Sequence, residues 1–352
     1  MKGKVFQLGL MKNGSVAFYP CHGKRDSYIH MMREMIARHF DVIDYISLKK
    51  QKHRLLGVKY IYLNWIENRL DDDDRKLLKM ASMIGIRVIW VFHNKMPHDA
   101  HDDMEEKREN MRFLTRMADK IIIHSHQSRP FLLDYDPRLD MKKVYFLPHI
   151  GYMGQYMAYC PDIRQMLGIG DDEFLFSSLG SLQPYKNIGL LIEAMEDLRG
   201  MKCKVLIAGG TAQADYYGRL EAAAAKAENV ILMNHYIGSL QMAAFLQASD
   251  VLVLPYDLKS SMNSGVMIMS FSYGRTVVTS DMAMARDFDE KLLYKYACLS
   301  NGEHRAALAE SLLCAYGEGR EKNHQKGEVL RRVVMEQNSE TAVEKRMREI
   351  LK

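Results

Sequence analysis

The chain reads as an α/β protein of two doubly wound parallel-sheet domains, and three observations predict this. Short apolar runs rich in Val, Ile and Tyr alternate with longer amphipathic stretches along the whole chain. The alternation breaks once, at residues 151–173, and then restarts. The length of 352 residues leaves room for two core-bearing domains.

In the first half the expected strands are "SVAFYP" (15–20), "DVIDYI" (41–46), "KYIYLN" (59–64), "RVIWVF" (87–92), "KIIIHS" (120–125) and "KVYFLP" (143–148). Between them "SYIHMMREMIARHF" (27–40) and "DDRKLLKMASMIG" (73–85) carry apolar residues at helical spacing. The acidic run "DDDD" (71–74) suits a helix start, where carboxylates face the positive end of the dipole. The stretch "GYMGQYMAYCPDIRQMLGIGDDE" (151–173) is broken by glycines and a proline and reads as a linker. New strands follow at "FLFSSLG" (174–180), "KVLIAGG" (204–210), "NVILM" (229–233), "DVLVLP" (250–255) and "TVVTS" (276–280). From about residue 303 the tail is helical, and Ser339 can cap its last helix. The domains expected are 1–150, a linker at 151–173, 174–338, and a terminal helix at 339–352.

Composition narrows the function. A hydrophobic fraction of 47% with 26% charged residues describes a folded, water-exposed protein. Five scattered cysteines without a Cys-x-x-Cys pair (Cys21, Cys160, Cys203, Cys298, Cys314) fit a reducing compartment and read as small buried apolar residues. No run approaches the roughly 18–20 apolar residues of a membrane span, and the start lacks a secretory signal, so the cytoplasm is the expected location. Charge is uneven: residues 1–150 hold 27 basic and 19 acidic side chains, whereas residues 151–352 hold 22 and 25. The basic stretch "SLKKQKHRLLGVKY" (47–60) can attract an anionic membrane surface, or simply form a solvated loop. Nucleic acid is disfavoured because no recognisable binding motif interleaves aromatic and basic residues.

Ligands of open parallel sheets bind outside the carboxyl ends of the strands. Three loops of the second half stand there. "SLGSLQPYKNIGLLIEAM" (178–195) places Gly180 after a strand and Lys186 before a helix, where amides and ammonium together favour a phosphate. "NSGVMIMSFSYGRTVV" (263–278) opens a helix with Asn263, Ser264 and Gly265, so that the amides of Ser264, Gly265 and Val266 are expected to face an anion such as a diphosphate. "NHYIGSLQM" (234–242) offers Tyr236 to a nucleobase. Each also has a plain structural reading as a surface lysine, a capped core helix and a packing tyrosine.

In their order these segments, with "VLIAGG", "ASDVLVLP" and "GRTVV", resemble the donor domain of GT-B fold glycosyltransferases of the family 4 (glycosyl transferases group 1) type. The resemblance implies two Rossmann-like domains facing a central cleft. It also implies a nucleoside diphosphate sugar donor, UDP- or GDP-linked, with Gly180, Lys186, Tyr236, Asn263, Ser264 and Gly265 as donor-binding residues. The front half resembles the acceptor domain at "VIWVFHNKMPHD" (88–99), "ADKIIIHS" (118–125) and "VYFLPHIGY" (144–152). Two glutamates found in many relatives fall on Ser261 and Met269 here, and an arginine after the first glycine is Ser181.

Transfer needs a stabilised leaving diphosphate and a base for the attacking hydroxyl. His93 and Asp99 are the candidate catalytic residues, Asn94 and His98 the candidate acceptor-binding residues, and His126 and His149 are further strand-end histidines. No metal and no cofactor is expected, since "DYD" (134–136) beside Pro137 reads as a turn. The reading is a glycosyltransferase acting on a saccharide or lipid-linked saccharide acceptor, with peripheral contact at the inner face of an anionic membrane. An epimerase of the same fold and a silent nucleotide-sugar-binding scaffold are its rivals.

Overall fold

The computed structural model describes residues 13–21, 27–95, 104–156, 162–259, 261–298 and 300–352. These fall into two compact units, the first drawn from Met1–Phe92, Asp103–Ile122 and Leu132–Tyr145, the second from His93–Asp102, Ile123–Phe131 and Phe146–Lys352.

Among the described residues there are two six-stranded sheets. The first holds β1 (Ser15–Tyr19), β2 (Asp41–Asp44), β3 (Val58–Asn64), β4 (Arg87–Phe92), β5 (Lys120–Ile123) and β6 (Val144–Phe146), in the order β2-β1-β3-β4-β5-β6. The second holds β7 (Phe174–Leu179), β8 (Cys203–Gly209), β9 (Val230–Asn234), β10 (Val251–Leu254), β11 (Thr276–Ser280) and β12 (Tyr294–Tyr296), in the order β12-β11-β10-β7-β8-β9. Every ladder with a described register is parallel. Both are doubly wound orders, so the expected fold class holds.

Differences are local. The run "DVIDYI" stops at Asp44, whose carboxylate accepts from the Ile46 amide at 3.2 Å and starts the helix Tyr45–Lys50. The basic stretch that follows is therefore helix and a 3-10 turn, Lys52–Leu55, rather than loop. Strand β12, "YKY", is too short to show alternation and is missed by the sequence reading. The acidic run is a helix start as expected: Asp71 and Asp74 form a reciprocal capping box on Asp72–Met83. Ser339 caps Glu340–Ile350 by accepting from the Ala342 amide. The cysteines correct the sequence reading: Cys203 is buried, Cys21 and Cys298 are partly exposed, and Cys314 is exposed, while Cys160 lies outside the described residues.

In the second sheet β7, β10 and β11 are buried along their whole length, as continuous apolar runs in a parallel sheet covered on both faces must be. The strand order reverses between β7 and β10, and pairing there is short. Only Val251↔Phe176 and Leu252↔Ser177 are in register, against six pairs between β7 and β8. Asp250, just before β10, closes the amino end of this junction. Its buried carboxylate accepts from the Leu175 amide (2.7 Å), Arg164 (2.7 Å), Arg320 (2.8 Å) and His324 (3.1 Å). Burial alone would raise its pKa, yet His324, the Leu175 amide, Arg320 and Arg164 together hold it below the ordinary carboxylate value.

The helix Asn301–Gln337, interrupted at Gly319, runs against this sheet. A Cβ at Gly327 would lie 2.1 Å from the Gly274 carbonyl oxygen, so this helix packs backbone to backbone on the turn that ends Gly265–Ser272. Among the described residues no helix is long and apolar enough to cross a membrane.

Asp250→Ala strands two guanidinium groups and an amide, so a loss of about 3–5 kcal/mol is expected in urea unfolding followed by circular dichroism. Because the folded pKa is depressed, the stabilisation is complete above the ordinary carboxylate value and is lost as pH falls through the folded one. Wild type and Asp250→Asn should therefore converge in stability in acid.

Candidate functional site

The carboxyl end of β7 turns at Gly180, whose φ of +100° is open to glycine. A Cβ at Gly209, ending β8, would stand 1.7 Å from the Gly180 oxygen, which explains why the strand "CKVLIAG" finishes on glycine. The chain then makes one 3-10 turn, Pro184–Lys186, ended by Asn187 in the left-handed region at φ 51°. Asn187 Nδ2 donates to the Pro255 carbonyl at 2.9 Å, and the Asp257 amide donates to the Tyr185 carbonyl at 2.8 Å. These two bonds tie the turn to the end of β10, across the switch point.

The turn carries Lys186 inward. The side chain is only 5% exposed, with Nζ 3.5 Å from where a Gly180 Cβ would sit and 5.6 Å from the Tyr256 ring centre. Among the described residues no carboxylate pairs with it, and burial alone lowers its pKa to about 8. An ammonium withdrawn from water without a counter-charge is costly, and an anionic guest would remove that cost.

The second wall is the helix Gly265–Ser272. Ser264 is its N-cap, with Oγ accepting from the Met267 amide at 3.1 Å. The expectation that three amides face a ligand is corrected here, because the Ser264 amide points to Met284 Sδ at 3.5 Å. The amides of Gly265 and Val266 have no acceptor among the described residues, as a helix start allows. Val266 Cγ2 is 3.8 Å from the Gly180 Cβ position, so the lysine turn and the helix start enclose one volume. At Gly265 a Cβ would meet Tyr152 Oη at 2.9 Å and His149 Nε2 at 3.4 Å. Only a residue without a side chain leaves room for both.

His149 is the last of three buried histidines. The rings of His93 and His124 are 5.2 Å apart, and those of His124 and His149 are 5.3 Å apart. Burial is the main cause of low pKa in all three. His93 lies well below the ordinary value, His124 is brought down to about 3 and His149 to about 4, with neighbouring histidines adding to the first two. They are neutral at neutral pH. Nδ1 donates to Leu147 O at 2.8 Å in His124 and to Ile150 O at 2.9 Å in His149, since a carbonyl can only accept.

Asn263 Nδ2 donates to the His93 carbonyl at 2.8 Å, which ties the loop before the helix to His93 within the second unit. Thus Gly180, Lys186, Asn263, Ser264, Gly265 and His93 come together in the second unit. Asn94 follows His93 and is partly buried, whereas His98 and Asp99 lie outside the described residues. Tyr236 stands at the end of β9 and is 49% exposed, its backbone 3.7 Å from the Gly210 Cβ position. His126 stacks on Phe146 at 3.9 Å, and its amide donates to Asp287.

Sequence reasoning missed Tyr152, Tyr256 and Met284. Tyr152 ends the segment "VYFLPHIGY" (144–152) and lies at the start of the glycine-broken stretch read as a linker, and it was not singled out, while nothing local marks Tyr256 or Met284 as part of a site.

Residues 173–317 match the family model described as "Glycosyl transferases group 1". A GDP-mannose:glycolipid 4-beta-D-mannosyltransferase of Xanthomonas campestris pv. campestris is 27% identical over 244 residues, which are 67% of this chain and 62% of the relative. The chain thus spans about 62% of the length of the curated relatives it matches. Among solved structures, a glycosyltransferase from Rickettsia africae aligns with a TM-score of 0.71 at 12% identity, covering 97% of this chain and 98% of that one. The Anabaena protein HepE in complex with UDP-glucose aligns at 0.70 and 14% identity, covering 96% and 99%.

Gly209→Ala should push the Gly180 carbonyl aside and disorder the lysine turn. We expect a stability loss of about 3 kcal/mol or the upper end of overpacking costs, measured by urea unfolding.

Proposed function

With a group 1 glycosyl transferase domain at residues 173–317 in a GT-B fold as premise, we propose that the chain is a glycosyltransferase. It moves a sugar from a nucleoside diphosphate sugar, GDP- or UDP-linked, to a saccharide acceptor carried on lipid, in surface polysaccharide synthesis. The observation that carries this reading is the buried Lys186, which has no carboxylate partner among the described residues, beside the amides of Gly265 and Val266, which have no acceptor among them, at the switch point of the second sheet. A diphosphate would receive the ammonium and the amides at once, and the same contacts would strengthen as charge builds on it during departure. Tyr236 is the proposed base platform.

His93 is the proposed general base, with Asp99, Asn94 and His98 in the same segment as its proposed companions. A neutral imidazole can take the acceptor hydroxyl proton, which a protonated one cannot. The named activity of the Xanthomonas relative supports a glycolipid acceptor. A membrane surface is supported by the first unit, where the strongly exposed Leu56 (84%) and Met83 (86%) accompany exposed Lys52, Arg54, Lys59 and Arg87.

Lys186→Ala should weaken GDP or UDP binding by about 1.5–3 kcal/mol, roughly 10- to 150-fold by calorimetry, while the fold persists. Unchanged affinity would remove the lysine from the site. Affinity should also fall as pH rises above about 8, where free Lys186 loses its proton. In flotation at low salt the chain should rise with anionic but not with neutral vesicles, and Leu56→Glu with Met83→Glu should release it.

A further inference from the structure

A diphosphate site at the helix start needs Lys186 to keep its proton while it is buried, and burial works against that. The side chain set against the ammonium is not a carboxylate but a phenol. We propose that Tyr256 is a positioning residue of this site: its ring face holds the Lys186 ammonium beside Gly180 and Val266, ready for a diphosphate. This role rests on the diphosphate reading given above.

Nζ of Lys186 stands over the Tyr256 ring, 5.6 Å from its centre, and 3.5 Å from where a Gly180 Cβ would sit. An ammonium over an aromatic face is drawn to the negative side of the ring quadrupole, and the attraction grows as water is excluded. Water is excluded here, since Lys186 is 5% exposed and Tyr256 4%. The ring is held from several sides. Its own carbonyl accepts from Ser280 Oγ at 2.7 Å, the Pro255 carbonyl before it accepts from Asn187 Nδ2, and the Asp257 amide after it donates to the Tyr185 carbonyl. Tyr185 meets the ring at 5.7 Å with the two planes 78° apart, and the phenol reaches the side chain of Ser264, the N-cap of Gly265–Ser272. The lysine turn is thus tied to the same three residues that carry the ring, which keeps ammonium and ring face in register.

The attraction comes from the ring face and not from a phenolate. Burial, and then Tyr185, raise the Tyr256 hydroxyl far above its ordinary value, and burial raises Tyr185 to about 12, so both are uncharged near neutrality. His149, against Gly265, is neutral above about pH 4. Asp257 follows Tyr256, yet its carboxylate accepts from the Lys259 amide and acts on Cys298 and His304. Burial and the positive helix start oppose the Lys186 proton, and the Tyr256 ring favours it.

A series at position 256 separates the charge of the ring face from its shape. Tyr256→Phe keeps both, and phenylalanines carrying two or three ring fluorines keep the shape while withdrawing negative charge from the face. The Lys186 proton is read in the ligand-free protein by carbon NMR of isotope-labelled lysine, the resonance being assigned by its loss in Lys186→Ala. Its titration midpoint should fall stepwise with fluorination, by about one pH unit from Tyr256→Phe to the trifluoro variant. Calorimetry with GDP-mannose and UDP-glucose, whose diphosphates do not titrate near neutrality, should follow the same order. A sugar nucleotide favours the charged lysine, so affinity is level below the free midpoint and falls about tenfold per pH unit above it. The fluorinated variants should therefore match Tyr256→Phe at about pH 6 and begin to fall about one unit earlier. A ring that only packs would leave midpoint and pH profile unmoved across the series, and that result with binding intact would overturn the role of Tyr256 alone. Failure of the unsubstituted protein to bind either sugar nucleotide would remove the donor reading, and this role with it.

Discussion

The architecture of the second unit depends on the buried carboxylate of Asp250. It joins the start of β7 to the start of β10 and draws Arg164, Arg320 and His324 onto the same point. Because the two strands are held at their amino ends and cease to pair after Leu252↔Ser177, their carboxyl ends are free to diverge. Into that opening fold the lysine turn and the start of the Gly265–Ser272 helix, and Asn187 and Asp257 bridge across it. The stabilising charges sit at one end of the sheet and the candidate chemistry at the other.

Electrostatics at the two ends differ in kind. Asp250 is buried but fully compensated, which makes it structural. Lys186 is buried with no counter-charge among the described residues, and the three histidines are held neutral in the same unit. Such perturbed groups around open amides describe a place prepared for charge to arrive with a ligand. The glycines at 180, 209 and 265 serve this end, since each lets backbone or ring atoms approach where a side chain would block them.

Much of the fold was legible because it is written in local periodicity. Eleven of the strands announce themselves as apolar runs, and the exception, β12, is three residues long. The anion site was partly legible, since glycine, lysine and a Ser-Gly helix start at successive strand ends carry their chemistry in residue type. Their surroundings were not. Ser264 looked ready to donate its amide, but a methionine 20 residues later accepts it.

The sequence by itself determined that this is a two-sheet parallel α/β chain and which strand ends bear anion-binding residues, because hydrophobic spacing and backbone preference act over a few neighbours. Only the tertiary structure decided that Lys186 is buried with no carboxylate partner among the described residues, that His93, His124 and His149 line up, and that Tyr152 reaches Gly265. Those facts depend on contacts such as that between Asn263 and His93, 170 residues apart, and on the exclusion of water that such contacts produce. Burial sets the charge of each group, and no residue carries its burial in its own identity.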